Sequence, residues 1–143
     1  MDKVRSVCAT RVIPATPATI FSLLADPSQH ARFDGSQTVL RVRRAPKRLS
    51  LGANFSMHMK IWNRYFIRNK VVVFEENKSI AWLHFTQYVW RYDLEEVPGG
   101  TRVTETFTYD KPWAFTIIAL HWPEKNRLAM EATLARIEHL ATA

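Results

Sequence analysis

The sequence predicts an α+β domain in which a curved antiparallel sheet wraps around a long C-terminal helix. Near the C-terminus, Met130, Leu134 and Ile137 recur at helical spacing and form one apolar stripe. Upstream, short runs that alternate apolar and polar residues are separated by turns rich in Gly, Pro and Asn, as in antiparallel strands. A helix of about 18 residues is about 27 Å long, so its apolar side requires a surface as broad as a sheet.

The first predicted elements are a strand and two short helices. Residues 4–13 are rich in β-branched side chains and predict the strand. Thr16 and Pro17 supply an N-cap and a proline at the first helical position. An Asp-Pro pair then stops this helix and caps a second short turn over 28–33. These helices precede the main run of strands.

Six strands and the final helix follow. The six strands are predicted over 38–44, 53–62, 64–75, 79–85, 87–95 and 101–109. Short turns join them, among them a Pro-Gly-Gly hairpin turn at 98–100, so consecutive strands form an antiparallel meander. The helix is predicted over 123–141, with Pro123 at its first position and Glu124 at the positive end of its dipole.

Composition limits the possible classes of protein. The 143 residues, 47% of them hydrophobic, have the size of one domain, predicted over 1–143. No run of about 18 apolar residues predicts a membrane span. The N-terminus lacks a signal-peptide core and Cys8 is the single cysteine, which together favour the cytoplasm. The five histidines show no ligand spacing, so we expect no metal site. We also expect no organic cofactor.

Positive charge is concentrated in one segment, the basic block from Arg41 to Lys70. The net charge is +7, and no Asp or Glu occurs between Gly35 and Phe74. This pattern favours an anionic partner, either RNA or acidic lipid headgroups. The alternatives are a positive rim that attracts an anionic ligand, or a solvated surface.

Several segments carry a family resemblance: IPATPATIFSLLADP at 13–27, SIAW at 79–82, WRYDLE at 90–95, GGTRVTETF at 99–107 and ATLARIE at 132–138. They resemble the SRPBCC superfamily, in particular its polyketide cyclase/dehydrase, START-like branch. The resemblance covers nearly the whole chain. It implies a helix-grip fold with a deep cavity for apolar ligands between the sheet and the C-terminal helix. Members include lipid carriers, aromatase/cyclases, coenzyme Q-binding proteins and ribosome-associating toxins, so the fold alone does not specify the activity.

Strand alternation assigns large side chains to one face of the sheet, where they can line such a cavity. The predicted ligand-binding residues are Phe55, Met57, Met59, Trp82, His84, Trp90, Tyr92, Glu105, Phe107, Met130 and Leu134. A set of this kind can line a pocket of roughly 300–1,000 Å³. The alternative is that the rings fill the core themselves. A register shift of one residue would reverse the face of a whole strand.

Acid/base chemistry has three candidate residues: Glu105, His84 and Tyr92. Glu105 shares its face with Val103 and Phe107, and a buried carboxyl group needs a partner. His84, Tyr92 or a polar group of a ligand can supply one. Glu105 is then either a polar anchor or proton-transfer group, or a satisfied structural residue.

These observations predict that the protein binds an apolar small molecule, such as a lipid, an isoprenoid or an aromatic polyketide-like compound. One alternative is a polyketide cyclase, aromatase or dehydratase that uses acid/base residues in the same cavity. Another is a ribosome- or RNA-associating protein that uses the basic block. The apolar segment 113–122 is the candidate for a gate to the cavity; the alternatives are that it packs under the final helix or forms an exposed patch for a membrane or for a second subunit in a homodimer.

Overall fold

Seven strands form a single antiparallel sheet, and a long helix follows the last strand. The computed structural model describes residues 5–60, 63–84, 88–109 and 122–143. The elements are β1 Arg5–Ile13, α1 Pro17–Leu24, a 3-10 turn Pro27–Gln29, α2 His30–Phe33, β2 Val39–Arg44, β3 Asn54–Lys60, β4 Arg64–Glu75, β5 Ser79–His84, β6 Tyr88–Val97, β7 Gly100–Tyr109 and α3 Trp122–Thr142. The strand order is β1-β7-β6-β5-β4-β3-β2. The predicted α+β helix-grip architecture is confirmed.

The predicted element bounds agree closely with the observed ones. β4 spans the predicted residues 64–75, and α3 begins at Trp122, one residue before the predicted start. β6 and β7 extend further toward their turn than predicted, because Val97 pairs with Gly100 across a two-residue connection. The predicted second helix is a 3-10 turn followed by a single α-helical turn.

Both short helices begin at the predicted capping residues. The Thr16 side chain accepts a hydrogen bond from the Thr19 N–H at 3.2 Å. The Asp26 carboxylate accepts one from the Ser28 N–H at 3.0 Å. Because each cap satisfies a helix N–H that has no partner within the helix, these short elements are stabilised at defined residues.

The sheet has an inner face, which carries the buried core, and an outer face on its opposite side. The strand register aligns Ile80, Tyr92, Glu105 and Ala9 in one row across β5, β6, β7 and β1. The next row contains Trp82, Trp90, Phe107 and Val7. The predicted inward faces are confirmed, since buried side chains include Phe55, Met57, Met59, Trp82, Tyr92, Glu105 and Phe107.

Helix α3 buries its apolar stripe against the rest of the fold. Met130, Leu134 and Ile137 are each at most 1% exposed, and α3 contacts β1, β7, α1 and α2. The loop after α2 approaches the helix so closely that Gly35 donates its N–H to Thr133 Oγ1 at 2.8 Å. A Cβ atom at Gly35 would lie 2.2 Å from the Ala129 carbonyl oxygen. A residue without a side chain is therefore required there.

Candidate functional site

A buried pair formed by Tyr92 and Glu105 lies at the centre of the inner face. The two residues are direct cross-strand neighbours on β6 and β7, and each is 3% exposed. Tyr92 donates its hydroxyl hydrogen to Glu105 Oε2 at 2.7 Å. The other carboxyl oxygen, Oε1, is buried and has no hydrogen-bond partner among the described residues. A buried polar atom in this state is a natural position for a ligand contact.

The environment of this pair keeps the Glu105 carboxyl group protonated near neutral pH. Burial raises the pKa of Glu105 to about 8, with a smaller increase from the Asp34 charge. The hydrogen bond from Tyr92 acts in the opposite direction and is outweighed. Burial also raises the pKa of Tyr92 well above its usual value. Both groups are therefore neutral at pH 7, and the carboxylic acid has a proton of its own to donate.

The Asp34 carboxylate influences the interior while organising the loop after α2. It accepts hydrogen bonds from the N–H groups of Ser36, Thr38 and Val39 at 2.8–3.0 Å, and one from the Ser36 hydroxyl at 2.6 Å. These four hydrogen bonds hold the residues after α2 around one side chain. Asp34 was not among the residues predicted from the sequence, because its effect on Glu105 depends on contacts between distant parts of the chain.

His30 is a second residue of the interior that was not predicted from the sequence. It is 5% exposed, and its ring stacks on Trp82 with a centroid distance of 4.9 Å. Its Nε2 lies 2.9 Å from the Leu24 carbonyl oxygen. Burial lowers the pKa of His30 to about 4, so the ring is neutral and donates this hydrogen bond. The one feature of the sequence that could have indicated a buried His30 was its place in a short helix predicted to pack on the core.

His84, predicted as an acid/base candidate, lies away from Glu105. It pairs with Tyr88 in the cross-strand register, four residues along β6 from Tyr92. That separation is about 13 Å along a strand. Its Nδ1 lies 3.1 Å from Asn69 Oδ1, and burial lowers its pKa to about 4. The structure thus brings together two of the three predicted acid/base residues, Tyr92 and Glu105.

Aromatic rings extend from the Tyr–Glu pair toward one end of the sheet. Trp82 lies 5.7 Å from Tyr92, and Trp90 lies 4.4 Å from Phe107, between ring centroids. Tyr88 and Trp90 are only partly buried. Together these rings form an apolar inner wall that begins next to the neutral carboxylic acid of Glu105 and extends to Tyr88. Of the candidate gate at 113–122, residues 113–121 lie outside the described residues, and Trp122 is the first residue of α3.

Two absences concern the described part of the chain. No group of three or more His, Cys, Asp or Glu side chains there is arranged to hold a metal ion. Within the same residues, no helix has the length and apolar character needed to cross a membrane.

The basic block lies on the outer face of β2, β3 and β4. An open groove of about 420 Å³ occurs there, and its lining residues are Arg43, Arg44, Asn54, Phe55, Ser56 and Arg68. The Arg43 guanidinium lies 4.0 Å above the ring of Phe66, which is 44% exposed. This groove is on the opposite side of the sheet from Glu105.

The fold and the family agree. Residues 4–142 match the family described as polyketide cyclase/dehydrase and lipid transport. The chain belongs to this family. The resemblance inferred from the sequence is therefore confirmed, at the level of the polyketide cyclase/dehydrase family.

One relative of this chain is Rv0088, an uncharacterized protein of Mycobacterium tuberculosis. It is 33% identical over 132 residues, which are 87% of this chain and 59% of the relative. The chain thus spans 59% of the length of the curated relatives it matches.

Solved structures show the same fold at low identity. The polyketide cyclase-like protein Cgl2372 of Corynebacterium glutamicum is 22% identical, with a TM-score of 0.65, over 98% of this chain and 93% of that one. The di-domain ARO/CYC protein StfQ from the steffimycin biosynthetic pathway is 13% identical, with a TM-score of 0.74. That match covers 97% of this chain and 51% of StfQ.

Proposed function

We propose that the protein binds an uncharged apolar small molecule between the inner face of the sheet and α3. A lipid, an isoprenoid or an aromatic polyketide-like compound fits this description. The observation that carries the proposal is Glu105 Oε1, a fully buried polar atom without a partner in the described part of the chain. Family membership and the half-buried aromatic wall support it.

The chemistry of the pair specifies the polar part of the ligand. Because Tyr92 already donates to Oε2, the protonated carboxyl group of Glu105 can donate from Oε1 to a ligand oxygen. A carbonyl, hydroxyl or ether oxygen accepts such a bond. A ligand carboxylate is disfavoured, because the Asp34 charge and the desolvated interior both oppose a second anion.

The aromatic wall supplies the affinity for the apolar part. Trp90 and Phe107 form the row next to Tyr92 and Glu105, and Tyr88 extends their ring surface toward the end of the sheet. Burying about 200–300 Å² of apolar ligand surface contributes on the order of 5–8 kcal/mol. The loss of translational and rotational freedom on association offsets part of this gain.

Native mass spectrometry of the protein purified from its own host tests the proposal directly. We expect a retained ligand that organic solvent extracts and that contains an uncharged oxygen. Titration of the stripped protein with an anthraquinone, a fatty alcohol and a fatty acid, followed by tryptophan fluorescence, then ranks ligand classes. Glu105→Leu should weaken binding of the preferred neutral ligand by about 5- to 30-fold, because one buried hydrogen bond is lost. Unchanged affinity in this variant would refute the role of Glu105 as an anchor.

A second candidate function is a cyclase or dehydratase acting on a poly-β-keto chain. It is favoured by one observation, a carboxyl group with a pKa of about 8 hydrogen-bonded to a tyrosine, because such an acid transfers protons efficiently near neutral pH. Glu105 would give its proton to a ketone oxygen of the substrate while an α-carbon of the same chain forms a bond to the ketone carbon. The carboxylate would then take up the proton that this α-carbon loses.

One variant distinguishes the two functions. Glu105→Gln keeps a donor at this position but cannot release a proton, so a carrier should retain its ligand affinity. An enzyme should retain binding and lose turnover by about 100-fold or more.

A cytoplasmic location belongs to the same proposal, supported by the single exposed thiol of Cys8.

A further inference from the structure

The outer face of β2, β3 and β4 carries a concentration of positive charge with few acidic neighbours. Among the described residues, Arg48 is the member of the basic block that forms an ion pair, with Glu76. The exposed cations of the block that form no ion pair within those residues are Arg41, Arg43, Arg44, Lys47, Lys60, Arg64, Arg68 and Lys70. Their mutual repulsion is relieved when a partner supplies negative charge.

The strand register aligns these cations across the sheet. Arg44, Ser56 and Arg68 form one row across β2, β3 and β4. Neighbouring strands are about 4.8 Å apart, so the row spans about 10 Å. We call the outward-facing side chains of Arg41, Arg43, Arg44, Lys60, Arg64, Arg68 and Lys70 the basic face.

The groove in the basic face has the chemistry of a phosphate site. Three arginines, Arg43, Arg44 and Arg68, border the groove together with Asn54 and Ser56, whose side chains are neutral hydrogen-bonding groups. Guanidinium groups bind phosphate oxygens with two parallel hydrogen bonds. Since residues 35–74 contain no Asp or Glu, no acid of this segment competes for these donors.

Exposed apolar side chains among the cations indicate which anion fits. Phe66 and Val72 are 44% and 40% exposed and lie on the outer side of β4 with Arg68 and Lys70. The guanidinium of Arg43 lies 4.0 Å above the Phe66 ring and that of Arg68 lies 5.8 Å from its centroid, so a nucleobase stacked on the Arg43 side of the ring would have to displace that guanidinium. Apolar side chains surrounded by cations instead suit the boundary between headgroups and acyl chains.

We propose that the basic face docks the protein on anionic phospholipid membranes, with a lipid phosphate in the groove lined by Arg43, Arg44 and Arg68. Each cation near an anionic bilayer surface strengthens binding severalfold. The face lies on the opposite side of the sheet from Glu105. Membrane docking therefore does not depend on the interior ligand, and either proposal can fail without the other.

Vesicle co-sedimentation of the full chain tests this inference. We expect binding to phosphatidylcholine vesicles that contain phosphatidylglycerol, little binding to pure phosphatidylcholine vesicles, and a steep loss of binding as salt is added. Arg43→Glu/Arg68→Glu should weaken binding by at least about 30-fold. Glu105→Gln should bind vesicles as the wild type does.

A matched control separates docking at this face from general charge attraction. Lys125→Glu/Arg127→Glu makes the same change in net charge at exposed positions of α3, and should retain binding within a few-fold. If the first variant does not fold, as judged by circular dichroism, Arg44→Gln/Lys70→Gln removes two charges without altering the Arg–Phe contact and should also weaken binding.

Three results would overturn the proposal. One is equal binding to vesicles with and without phosphatidylglycerol. Another is equal weakening by the basic-face variants and the α3 control. The third is tighter binding to a single-stranded RNA than to phosphatidylglycerol vesicles in the same buffer, which would assign the face to nucleic acid instead.

Discussion

Replacing Glu105 with Gln should abolish a decrease in the free energy of unfolding that the wild type shows as pH rises from 5 to 8. The Glu105 pKa is about 8 in the folded protein, against an ordinary value of 4.5 that applies to the unfolded chain. Between these values the native state binds more protons than the unfolded state, so stability falls as pH rises. Gln has nearly the same shape as Glu but does not ionise, so the Glu105→Gln variant should not lose stability over this pH range.

The size of the effect follows from the difference between the two pKa values. A difference of one pKa unit corresponds to about 1.4 kcal/mol. Because the whole interval from pH 5 to pH 8 lies between the two values, the wild type should lose about 4 kcal/mol relative to Glu105→Gln across it. No reduction for solvent exposure is needed, since Glu105 is 3% exposed.

His30 and His84 make the free energy of unfolding change with pH in the opposite direction to Glu105. This determines the pH range in which the contribution of Glu105 is visible in the wild type. Burial lowers both pKa values to about 4, so their contribution to stability rises with pH up to the unfolded value of 6.5 and then stays constant. From pH 6.5 to 8, Glu105 alone of these three groups changes its charge in the folded protein. The wild type should therefore lose about 2 kcal/mol in that window.

Urea denaturation at half-unit pH intervals, followed by far-UV circular dichroism, measures both curves. Glu96→Gln, an exposed change on β6, is the control and should run parallel to the wild type. Curves for the wild type and Glu105→Gln that stay parallel within about 0.5 kcal/mol from pH 5 to 8 would show that Glu105 is not a protonated buried acid. The electrostatic basis of the proposed ligand contact would then be lost.

Two further substitutions test the surroundings of the site. Tyr92→Phe removes the hydroxyl that donates to Glu105 at 2.7 Å, so it should cost about 1–2 kcal/mol and raise the pKa of Glu105 further. The fall in stability should then continue above pH 8, and an unchanged pH profile would contradict the hydrogen bond. Gly35→Ala places a Cβ 2.2 Å from the Ala129 carbonyl oxygen and should cost about 3 kcal/mol or more. Gly52→Ala, where φ is +81° and no heavy atom lies within 4 Å, should cost about 1–2 kcal/mol. Equal losses of melting temperature in the two glycine variants would contradict the packing of the Gly35 loop on α3.

The elements and their buried faces were predictable because they depend on local periodicity. Alternation in β7 placed Val103, Glu105 and Phe107 on one face, and all three are buried. Helical spacing in α3 likewise identified Met130 and Leu134 as core residues. A repeat of two or of 3.6 residues can be read from neighbouring positions alone.

Individual partners were not predictable in the same way. The sequence offered two side-chain partners for Glu105, His84 and Tyr92, and the register of β6 against β7 selects Tyr92. His84 shares the inward face but pairs with Tyr88 at another row of the sheet. Register depends on the turns and on core packing together, so residue spacing does not specify it.

By itself, the amino-acid sequence determined the order of helices and strands, the side of each strand that is buried and the acid-free basic segment. The tertiary structure decided which side chains lie close to one another. It placed His30 on Trp82 and the Asp34 charge near Glu105, and it brought Arg43 and Arg68 to the ring of Phe66. Periodicity acts over a few neighbouring residues, whereas a pKa or an anion site depends on all the groups within several ångströms, which folding brings together from distant parts of the chain.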